Sequence, residues 1–462
     1  MSKPQKHNTE SLRYFLDPFG CAKNQVDAEH IMAHLDSAGW INSGHEQADL
    51  IIVNSCGFIE SAKQESINAV LAWRKHYPNK KIMLTGCLSQ RYKKELEQVL
   101  PEADILFGIT DIPDIAASAA KVMNISVRQK KATGTVMSGK NPQGNLLPGE
   151  RPLLSLPGSA YVKISEGCNN NCSYCAIPLI RGNIKSRSIS DIKQECKTLV
   201  SRGIKELCII AQDIASYGID FGKHEPCSGE LPALLKEISK IKGDFWVRLL
   251  YIHPDHFPLE ILDIIKKDKR FLPYFDLPFQ HGSEKILRLM NRKGNAAIYL
   301  NLIKKIRQSL PDSIIRSTFL TGFPGETDED FKALTDFQKK AKLDWAGCFA
   351  FSREEYTPAY SMKKQVSKKT AQLRKKTFEK NQIPITKQQL DNFIKQSKNQ
   401  NLRVLIEEKI EGEEGLWLGR LSNQAPEVDS LTVISSDKEL KAGEFYKAGL
   451  LSSTGFDLKV QV

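Results

Sequence analysis

Three cysteines lie within eight residues of one another and carry the strongest chemical signal in the chain. Cys168, Cys172 and Cys175 are spaced C-x3-C-x2-C in the segment EGCNNNCSYCAIPLIRG. Soft thiolates at such a spacing are ligands for zinc or for an iron–sulfur cluster. Structural zinc normally takes four ligands, and no fourth cysteine or histidine lies within twenty residues. Three thiolates on a four-iron cluster would leave one iron open to an outside ligand; a zinc knuckle is the alternative.

A second set of three cysteines is dispersed over the first ninety residues. Each follows the end of a predicted strand and has a glycine beside it. The cysteines are Cys21, Cys56 and Cys87, and the glycines are Gly20, Gly57 and Gly86. The carboxyl ends of parallel strands line one crevice, and glycine lets the backbone approach a bulky group closely. This placement predicts a second cluster with one open iron, and three unrelated buried cysteines are the alternative.

Strand-like and helix-like segments alternate from residue 12 to about residue 126. The apolar pattern predicts one helix from Val26 and another from Arg91, each after a β-branched or apolar strand. This βαβα rhythm predicts an open parallel α/β sheet. Residues 127–159 are rich in glycine, proline and basic residues and lack periodicity, which predicts a linker.

The alternation resumes on a larger scale from Ala160. About six β/α units fit an incomplete (β/α)6 barrel, with an open sheet as the alternative. Residues 401–462 read as five short strands separated by turns, which predicts a small all-β barrel of the oligonucleotide-binding style. The chain is therefore predicted to be an α/β protein. It is predicted to consist of four segments: residues 1–126, 127–159, 160–395 and 396–462.

Composition and charge narrow the class of protein. The 462 residues are 41% hydrophobic and 26% charged, which excludes a disordered chain, a collagen and a coiled-coil rod. No apolar run is long enough to span a membrane and the start lacks a signal-peptide pattern, so we expect a cytoplasmic protein. The net charge of +12 is concentrated in residues 361–400, which carry +9, whereas residues 401–462 carry −4. A solvated connecting helix is one interpretation of the basic stretch.

The chain resembles the radical S-adenosylmethionine (SAM) methylthiotransferase family over almost its whole length, and most closely the ribosomal-protein branch. The C-terminal part is similar to a TRAM domain. The matching motifs are GCAKNQVDAE (20–29), NSCGFIESAKQES (54–66), GCLSQRY (86–92), KISEGCNNNCSYCAIPLIRG (163–182), AQDIASYG (211–218), LLYIHP (249–254), YFDLPFQHGSEKILRLMNR (274–292), STFLTGFPGET (317–327) and GRLSNQAPEVDS (419–430).

The resemblance implies SAM as a cofactor and two [4Fe-4S] clusters. A SAM-cleaving cluster would be held by Cys168, Cys172 and Cys175, and an auxiliary cluster by the three dispersed cysteines. The implied reaction places a methylthio group on an unactivated carbon, which acid–base chemistry cannot attack but a carbon radical can. In the ribosomal-protein branch this carbon is the β-carbon of an aspartate of small-subunit ribosomal protein S-twelve. No catalytic side chain beyond the cluster ligands is implied; we expect a monomer served by an electron donor that the sequence does not identify.

Two features favour the ribosomal-protein branch over the tRNA branch, whose substrate is a modified adenosine. Lys23 stands where the tRNA branch usually has Met or Val, and the stretch 57–60 lacks its arginine. A C-terminal domain of net charge −4 is a poor partner for RNA phosphates and suits a basic protein. The alternatives are a tRNA methylthiotransferase and a non-catalytic iron–sulfur module that binds RNA.

Four residues are further candidates for binding SAM. By resemblance, Tyr174 packs near the adenine, Gln212 and Asp213 contact SAM at the end of the second barrel strand, and Gly322 shapes a turn at the pocket. For each, a purely structural role is the alternative. We interpret the remaining cysteines as structural because their spacing matches no ligand pattern; they are Cys196, Cys208, Cys227 and Cys348.

Overall fold

Strands and helices alternate along the chain in the computed structural model, which describes residues 12–124, 150–222, 229–397 and 400–462. Two units are distinguished. The first takes the residues up to Leu154 together with Leu179–Arg181, and the second takes the rest. Residues 127–149 of the predicted linker, and Cys227, lie outside the described residues. The four-part division of the chain stays a prediction.

The first unit is built on a five-stranded parallel sheet. The strand order is β2-β1-β3-β4-β5. Its strands are β1 (Arg13–Pro18), β2 (Ile41–Asn42), β3 (Leu50–Ser55), β4 (Lys81–Gly86) and β5 (Ile105–Phe107). Strand β3 is buried along its whole length, as expected for a strand covered on both faces. The predicted open parallel sheet is confirmed.

Helices cover both faces of this sheet. The helices are α1 (Ala22–Ser37), α2 (Glu60–His76), α3 (Cys87–Val99) and α4 (Ile115–Val122). Alternate residues of β3 point to opposite faces: Ile52 packs with α1 and α4, while Ile51 and Val53 pack with α2 and α3. Helix α1 begins directly after Cys21, and α3 begins at Cys87. Each start lies four residues earlier than predicted.

The second unit contains a six-stranded parallel sheet whose strands follow chain order from edge to edge. They are β6 (Ser159–Lys163), β9 (Glu206–Ile210), β10 (Trp246–Leu249), β11 (Phe271–Asp276), β12 (Ile314–Thr321) and β13 (Trp345–Ala350). A small antiparallel pair, β7 (Ser165–Glu166) with β8 (Lys185–Ser186), follows the first strand. The sheet does not close, as predicted for an incomplete (β/α)6 barrel.

Seven helices accompany these strands. They are α5 (Ile177–Arg181), α6 (Ile189–Ser201), α7 (Leu231–Ser239), α8 (Glu260–Lys267), α9 (Glu284–Leu289), α10 (Ala296–Ser309) and α11 (Asp328–Ala341). Among the described residues, no helix combines the length and apolar character needed to cross a lipid bilayer.

A 30-residue helix, α12 (Lys368–Ser397), leads into a closed five-stranded barrel. The barrel strands are β14 (Asn401–Lys409), β15 (Leu416–Leu421), β16 (Thr432–Ser435), β17 (Phe445–Thr454) and β18 (Asp457–Gln461). Trp417, Ile434 and Val460 lie in its apolar interior. The predicted small all-β barrel is confirmed.

Candidate metal centres and cofactor-binding residues

The sheet of the first unit brings its three cysteines to one edge. Ser55 of β3 pairs with Gly86 of β4, so Cys56 and Cys87 follow at the same level on neighbouring strands. Cys21 lies three residues beyond β1, which is the other neighbour of β3, and it is the N-cap residue of α1. Cys87 is the first residue of α3. Two of the three thiols thus lie at helix N-termini, where the helix dipole favours thiolate.

Asn24 connects two of these thiols. Its side-chain oxygen accepts from the Cys87 thiol at 3.3 Å and lies 3.9 Å from the Cys21 sulfur. The amide itself is held in place, because its Nδ2 donates to the Ser55 carbonyl at 2.8 Å and its backbone carbonyl accepts from Asn54 at 2.7 Å. Asn24 belongs to a quoted motif, but the sequence analysis assigned it no role.

A buried arginine lies against the same cysteines. One nitrogen of the Arg181 guanidinium is 3.2 Å from the Cys87 sulfur and 2.9 Å from both Asn24 Oδ1 and Asp27 Oδ2. The side chains of Arg181 and Asp27 are almost completely buried. A fixed positive charge at this place stabilises thiolate or any anionic group bound there. The sequence analysis missed Arg181, because a single arginine in a motif does not reveal a partner 154 residues away.

The backbone around these cysteines is close enough to require glycine. A Cβ atom on Gly57 would come within 2.6 Å of the Cys87 carbonyl oxygen. Gly86 has a φ of +99° and its Cβ would lie 2.6 Å from the Ser55 nitrogen. Glycine at these two positions therefore lets the ends of β3 and β4 pack closely enough to bring Cys56 and Cys87 together.

The three thiols differ in acidity. Burial raises the pKa of Cys56 to about 12 and raises that of Cys87 as well. Burial also acts on Cys21, but the charges of Lys23 and Arg181 outweigh it and lower its pKa. The pKa of Cys56 is raised further by Cys87 and Cys21, so the three groups are near enough to interact. Iron binding at these thiols must therefore release protons.

The clustered cysteines lie in a loop of the second unit between β7 and α5. The loop is closed by a hydrogen bond from the Cys168 N–H to the Gly182 carbonyl at 3.1 Å. Inside it, the Cys175 N–H donates to the Cys172 carbonyl at 3.0 Å, and the Ile177 N–H donates to the Cys175 sulfur at 3.5 Å. Burial raises the pKa of Cys168 to about 11 and that of Cys175 to about 12.

Cysteine thiolates are the usual ligands of iron–sulfur clusters, and the hydrogen bond from the Ile177 N–H to the Cys175 sulfur is of a kind that such clusters accept. A four-iron cluster takes one thiolate per iron, so its ligands surround a volume and do not converge on a point.

Asp213 connects the clustered cysteines to the end of strand β9. Its carboxylate accepts from Asn170, which lies between Cys168 and Cys172, at 2.9 Å. It also pairs with His256 at 2.7 Å and accepts from Ser216 at 2.6 Å. Burial would raise the pKa of Asp213, but its hydrogen bonds to His256 and Ser216 hold it well below the usual range. Asp213 is therefore an anion that positions the cysteine loop.

Gln212 points to a different partner. Its Nε2 donates to Glu166 at 3.1 Å, and Glu166 pairs with Lys163 at 2.6 Å. The side-chain oxygen of Gln212 is buried and accepts no hydrogen bond from the described residues. It is an acceptor available to a ligand.

Tyr174 is held by an arginine that the sequence analysis missed. Its phenol oxygen accepts from the buried Arg292 at 2.9 Å, and Arg292 also donates to the Pro278 carbonyl at 3.2 Å. Tyr174 packs against an apolar cluster that contains Met290 and Phe323. Tyr174 and Arg292 thus form a fixed pair beside the cysteine loop.

Gly322 forms the turn after strand β12, with a φ of +77°. The Glu326 carboxylate accepts the N–H groups of Gly322 and Phe323 at 2.6 and 3.1 Å. A Cβ atom on Gly322 would overlap the Cβ of Ala371 in helix α12. The turn is therefore rigid, and it leads into Phe323, which belongs to the apolar cluster that Tyr174 packs against.

The cysteines interpreted as structural lie apart from both sets. Cys196, Cys208 and Cys348 are buried, and Cys348 lies within 3.8 Å of the Thr321 hydroxyl. Burial raises the pKa of Cys348 to about 12, which keeps it a neutral thiol.

Comparison with known proteins gives matches over each part of the chain. The radical SAM superfamily model matches residues 162–337, the model of uncharacterized protein family UPF0004 matches residues 13–108, and the TRAM domain model matches residues 400–462. Among solved structures, the radical SAM methyltransferase TsrM from Kitasatospora setae is similar with a TM-score of 0.54 at 15% identity. The similarity covers 76% of this chain and 74% of that one. That likeness supports the fold.

Full-length relatives give the family. A ribosomal protein uS12 methylthiotransferase RimO from Treponema denticola is 47% identical over 96% of this chain and 99% of its own length. Proteins of the same name from Clostridium kluyveri and Syntrophomonas wolfei are 40% and 39% identical over 97% and 95% of this chain, and 98% and 97% of their own lengths. The resemblance inferred from the motifs is thereby confirmed: the chain belongs to the RimO family of radical SAM methylthiotransferases.

Proposed function

We propose that this enzyme transfers a methylthio group to the β-carbon of an aspartate of ribosomal protein uS12 (S-twelve). The observation that carries the proposal is the pairing of two three-cysteine sites in a chain that matches uS12 methylthiotransferases from end to end. One site is local, at 168–175, and the other is assembled by the sheet edge of the first unit. The acidic C-terminal domain suits a basic protein substrate.

A four-iron cluster held by Cys168, Cys172 and Cys175, with SAM bound beside it, would supply the radical chemistry that an unactivated C–H bond requires. The residues of the chain provide position. Asn170 and Asp213 hold the cysteine loop on strand β9, and Arg292 fixes Tyr174 beside it. Gln212 offers an unused acceptor and Gly322 a rigid turn. We propose that these four candidates, Tyr174, Gln212, Asp213 and Gly322, line the SAM site.

The two-cluster count is part of the proposal. Cys21, Cys56 and Cys87 would hold the auxiliary cluster, with Asn24 and Arg181 beside the sulfur ligands. Three protein ligands on four irons leave one iron for an exogenous sulfur, which is the group that the reaction must deliver. We further propose that the enzyme acts in the cytoplasm, since its substrate is ribosomal. We also propose that it acts as a monomer and receives its electrons from an outside donor.

Iron analysis tests the cluster assignment. Anaerobically reconstituted enzyme should hold about eight irons per chain, and replacing either set of three cysteines by alanine should leave about four. The matched control is the pair Cys196→Ala and Cys348→Ala, which should keep the full iron content. About four irons in the wild-type enzyme, or loss of iron in the control, would contradict the assignment.

The substrate is tested in cells. Mass spectrometry of uS12 from a strain lacking this protein should show loss of the methylthio group from one aspartate, and complementation should restore it. Modified nucleosides from the tRNA of the same strains serve as the internal control. If tRNA loses a methylthio group while uS12 is unchanged, the enzyme belongs functionally to the tRNA branch.

A further inference from the structure

Helix α12 carries four lysines on one face, Lys369, Lys376, Lys380 and Lys387, which we call the lysine row. The spacings of seven, four and seven residues place all four within about 20° of one direction around the helix. The row extends for roughly 27 Å at a rise of 1.5 Å per residue. Helix α12 runs unbroken from Lys368 to Ser397 with Pro384 inside it.

The lysine row faces solvent because the opposite side of α12 is anchored. All four lysines are exposed, while Phe378, Gln382 and Thr386 are buried. Gln382 donates to the Leu343 carbonyl at 3.0 Å and Thr386 donates to the Asp344 carbonyl at 2.8 Å. The helix therefore cannot rotate its lysines toward the sheet.

The charges of the lysine row are not neutralised by the enzyme itself. Within the part of the chain that the structure describes, none of the four amines has a carboxylate within 4.0 Å. The neighbouring Lys375, by contrast, pairs with Glu379 at 2.7 Å. Asp391 is the one exposed carboxylate on the helix. The row is a concentrated positive surface without an internal partner.

We propose that the lysine row binds the phosphate backbone of double-helical RNA. Lysine ammonium groups neutralise phosphates as point charges and read no base sequence. Single-stranded nucleic acid is bound through exposed aromatic rings on which bases stack, and α12 exposes none: Phe378 is buried and Phe393 is half-buried. A row about 27 Å long on one face of a helix matches a rigid duplex better than a flexible strand.

The identity of the RNA rests on the proposed function. If the substrate is a ribosomal protein, the adjacent duplex in the assembled small subunit is ribosomal RNA. The acidic C-terminal barrel would then contact the basic protein while the lysine row contacts the RNA beside it. This combination accounts for two oppositely charged surfaces on one chain, and it makes the assembled subunit the preferred substrate.

Fluorescence anisotropy with a labelled 20-base-pair RNA duplex tests the binding surface. Four bound lysines predict a slope of about −3.6 for log affinity against log salt, so affinity falls about 150-fold between 50 and 200 mM KCl. Changing all four lysines to glutamine in the reconstituted enzyme should make the slope shallower by about 3 to 4. The matched control changes four other exposed lysines, Lys266, Lys267, Lys304 and Lys305, to glutamine and should leave the slope nearly unchanged.

Three results would overturn the proposal: equal losses in both quadruple variants, tighter binding to the single strand of the same sequence, or tighter binding to polyglutamate than to the duplex. The first result would assign the effect to general charge. The second would assign the surface to single-stranded nucleic acid, and the third would assign it to an acidic protein.

Activity assays separate this proposal from the proposed function. The lysine-row variant should modify isolated uS12 within about twofold of wild type and lose about tenfold or more in kcat/KM on assembled small subunits. Equal activity of wild type and variant on assembled subunits would refute a role for the row in substrate binding. If wild-type enzyme modifies neither form of uS12, the proposed function fails, and the anisotropy result alone decides on RNA binding.

Discussion

Glu206 joins the parallel sheet to the C-terminal barrel, so its replacement should destabilise the whole second unit. The residue begins strand β9 and is completely buried. It accepts from Arg248 at 2.7 Å and from Arg420 of barrel strand β15 at 2.5 Å. Burial would raise the pKa of Glu206, but the charges of Arg420 and Arg248 outweigh it and lower the pKa from 4.5 to about 2.

Glu206→Gln keeps the shape of the side chain and removes its charge. Among the described residues, Arg248 then has no carboxylate within 4.0 Å and Arg420 keeps only Glu407. Breaking a buried ion pair from one side costs about 3–5 kcal/mol of the free energy of unfolding. The lowered pKa leads to a similar value, about 3 kcal/mol, at 1.36 kcal/mol per pKa unit. Because the pKa is lowered in the folded state, this stability is present above pH 4.5 and is lost as the pH falls toward 2.

Urea unfolding at pH 7 and at pH 4 measures the effect. The matched control is Glu237→Gln. Hydrogen bonds from Lys193 and Lys240 also lower the pKa of Glu237 to about 2, but its carboxylate is on the surface. We expect a large loss of stability for Glu206→Gln at pH 7, a smaller difference from wild type at pH 4, and no measurable loss for Glu237→Gln. Equal effects of the two substitutions would refute the reasoning that a buried carboxylate contributes more to stability than a surface one.

Three further substitutions test the sites. Arg181→Met leaves Asp27 buried without its arginine partner and should cost about 3 kcal/mol in thermal unfolding; in the reconstituted enzyme it should also make the reduction potential of the first-unit cluster more negative, and Arg181→Lys should restore most of that potential. An unchanged potential in Arg181→Met would contradict a direct charge effect on the cluster. Asp213→Asn should lower the formation of 5′-deoxyadenosine from SAM by about 10–100-fold while iron content is retained, and loss of iron instead would identify Asp213 as a support of the cluster alone. Gly322→Ala should destabilise the second unit by about 1–3 kcal/mol in denaturant unfolding, because both the positive φ and the overlap with Ala371 oppose it. Gly203→Ala is its control, since that glycine also has a positive φ but, among the described residues, no atom within 4 Å of the added Cβ; equal losses would assign the effect to the backbone alone.

The sequence predicted the architecture well because hydrophobic periodicity reports burial directly. The apolar run that opens the buried strand β3 and the alternating strands of the C-terminal barrel are cases in which local pattern and tertiary position agree. The apolar pattern predicts starts of α1 and α3 that are too late. In α1 the reason is that Lys23 and Asn24 are polar yet lie buried in the first turn. Polar residues buried by the site itself break the periodicity that marks a helix.

The cysteines could be found from type and spacing, whereas the residues around them could not. Arg181 is 94 residues from Cys87 and Arg292 is 118 residues from Tyr174. Nothing in the local sequence distinguishes a buried arginine from a solvated one, since the difference lies in partners that only the folded chain brings near. Asn24 is a similar case, because an amide that orders two sulfur ligands looks like any helical asparagine.

The two sets of cysteines place different demands on the order in which the enzyme matures. The clustered set closes loops of three and four residues, so even an unfolded chain can gather its thiols at small entropic cost. The dispersed cysteines are 35 and 31 residues apart, and their thiols meet only after three parallel strands have paired in register. In the proposed two-cluster enzyme, iron can therefore enter the second unit during synthesis but must wait for the first unit to fold. Once loaded, the auxiliary cluster would act as a cross-link across the sheet edge, and its loss under oxidative stress would loosen the same strands that a new cluster needs for insertion.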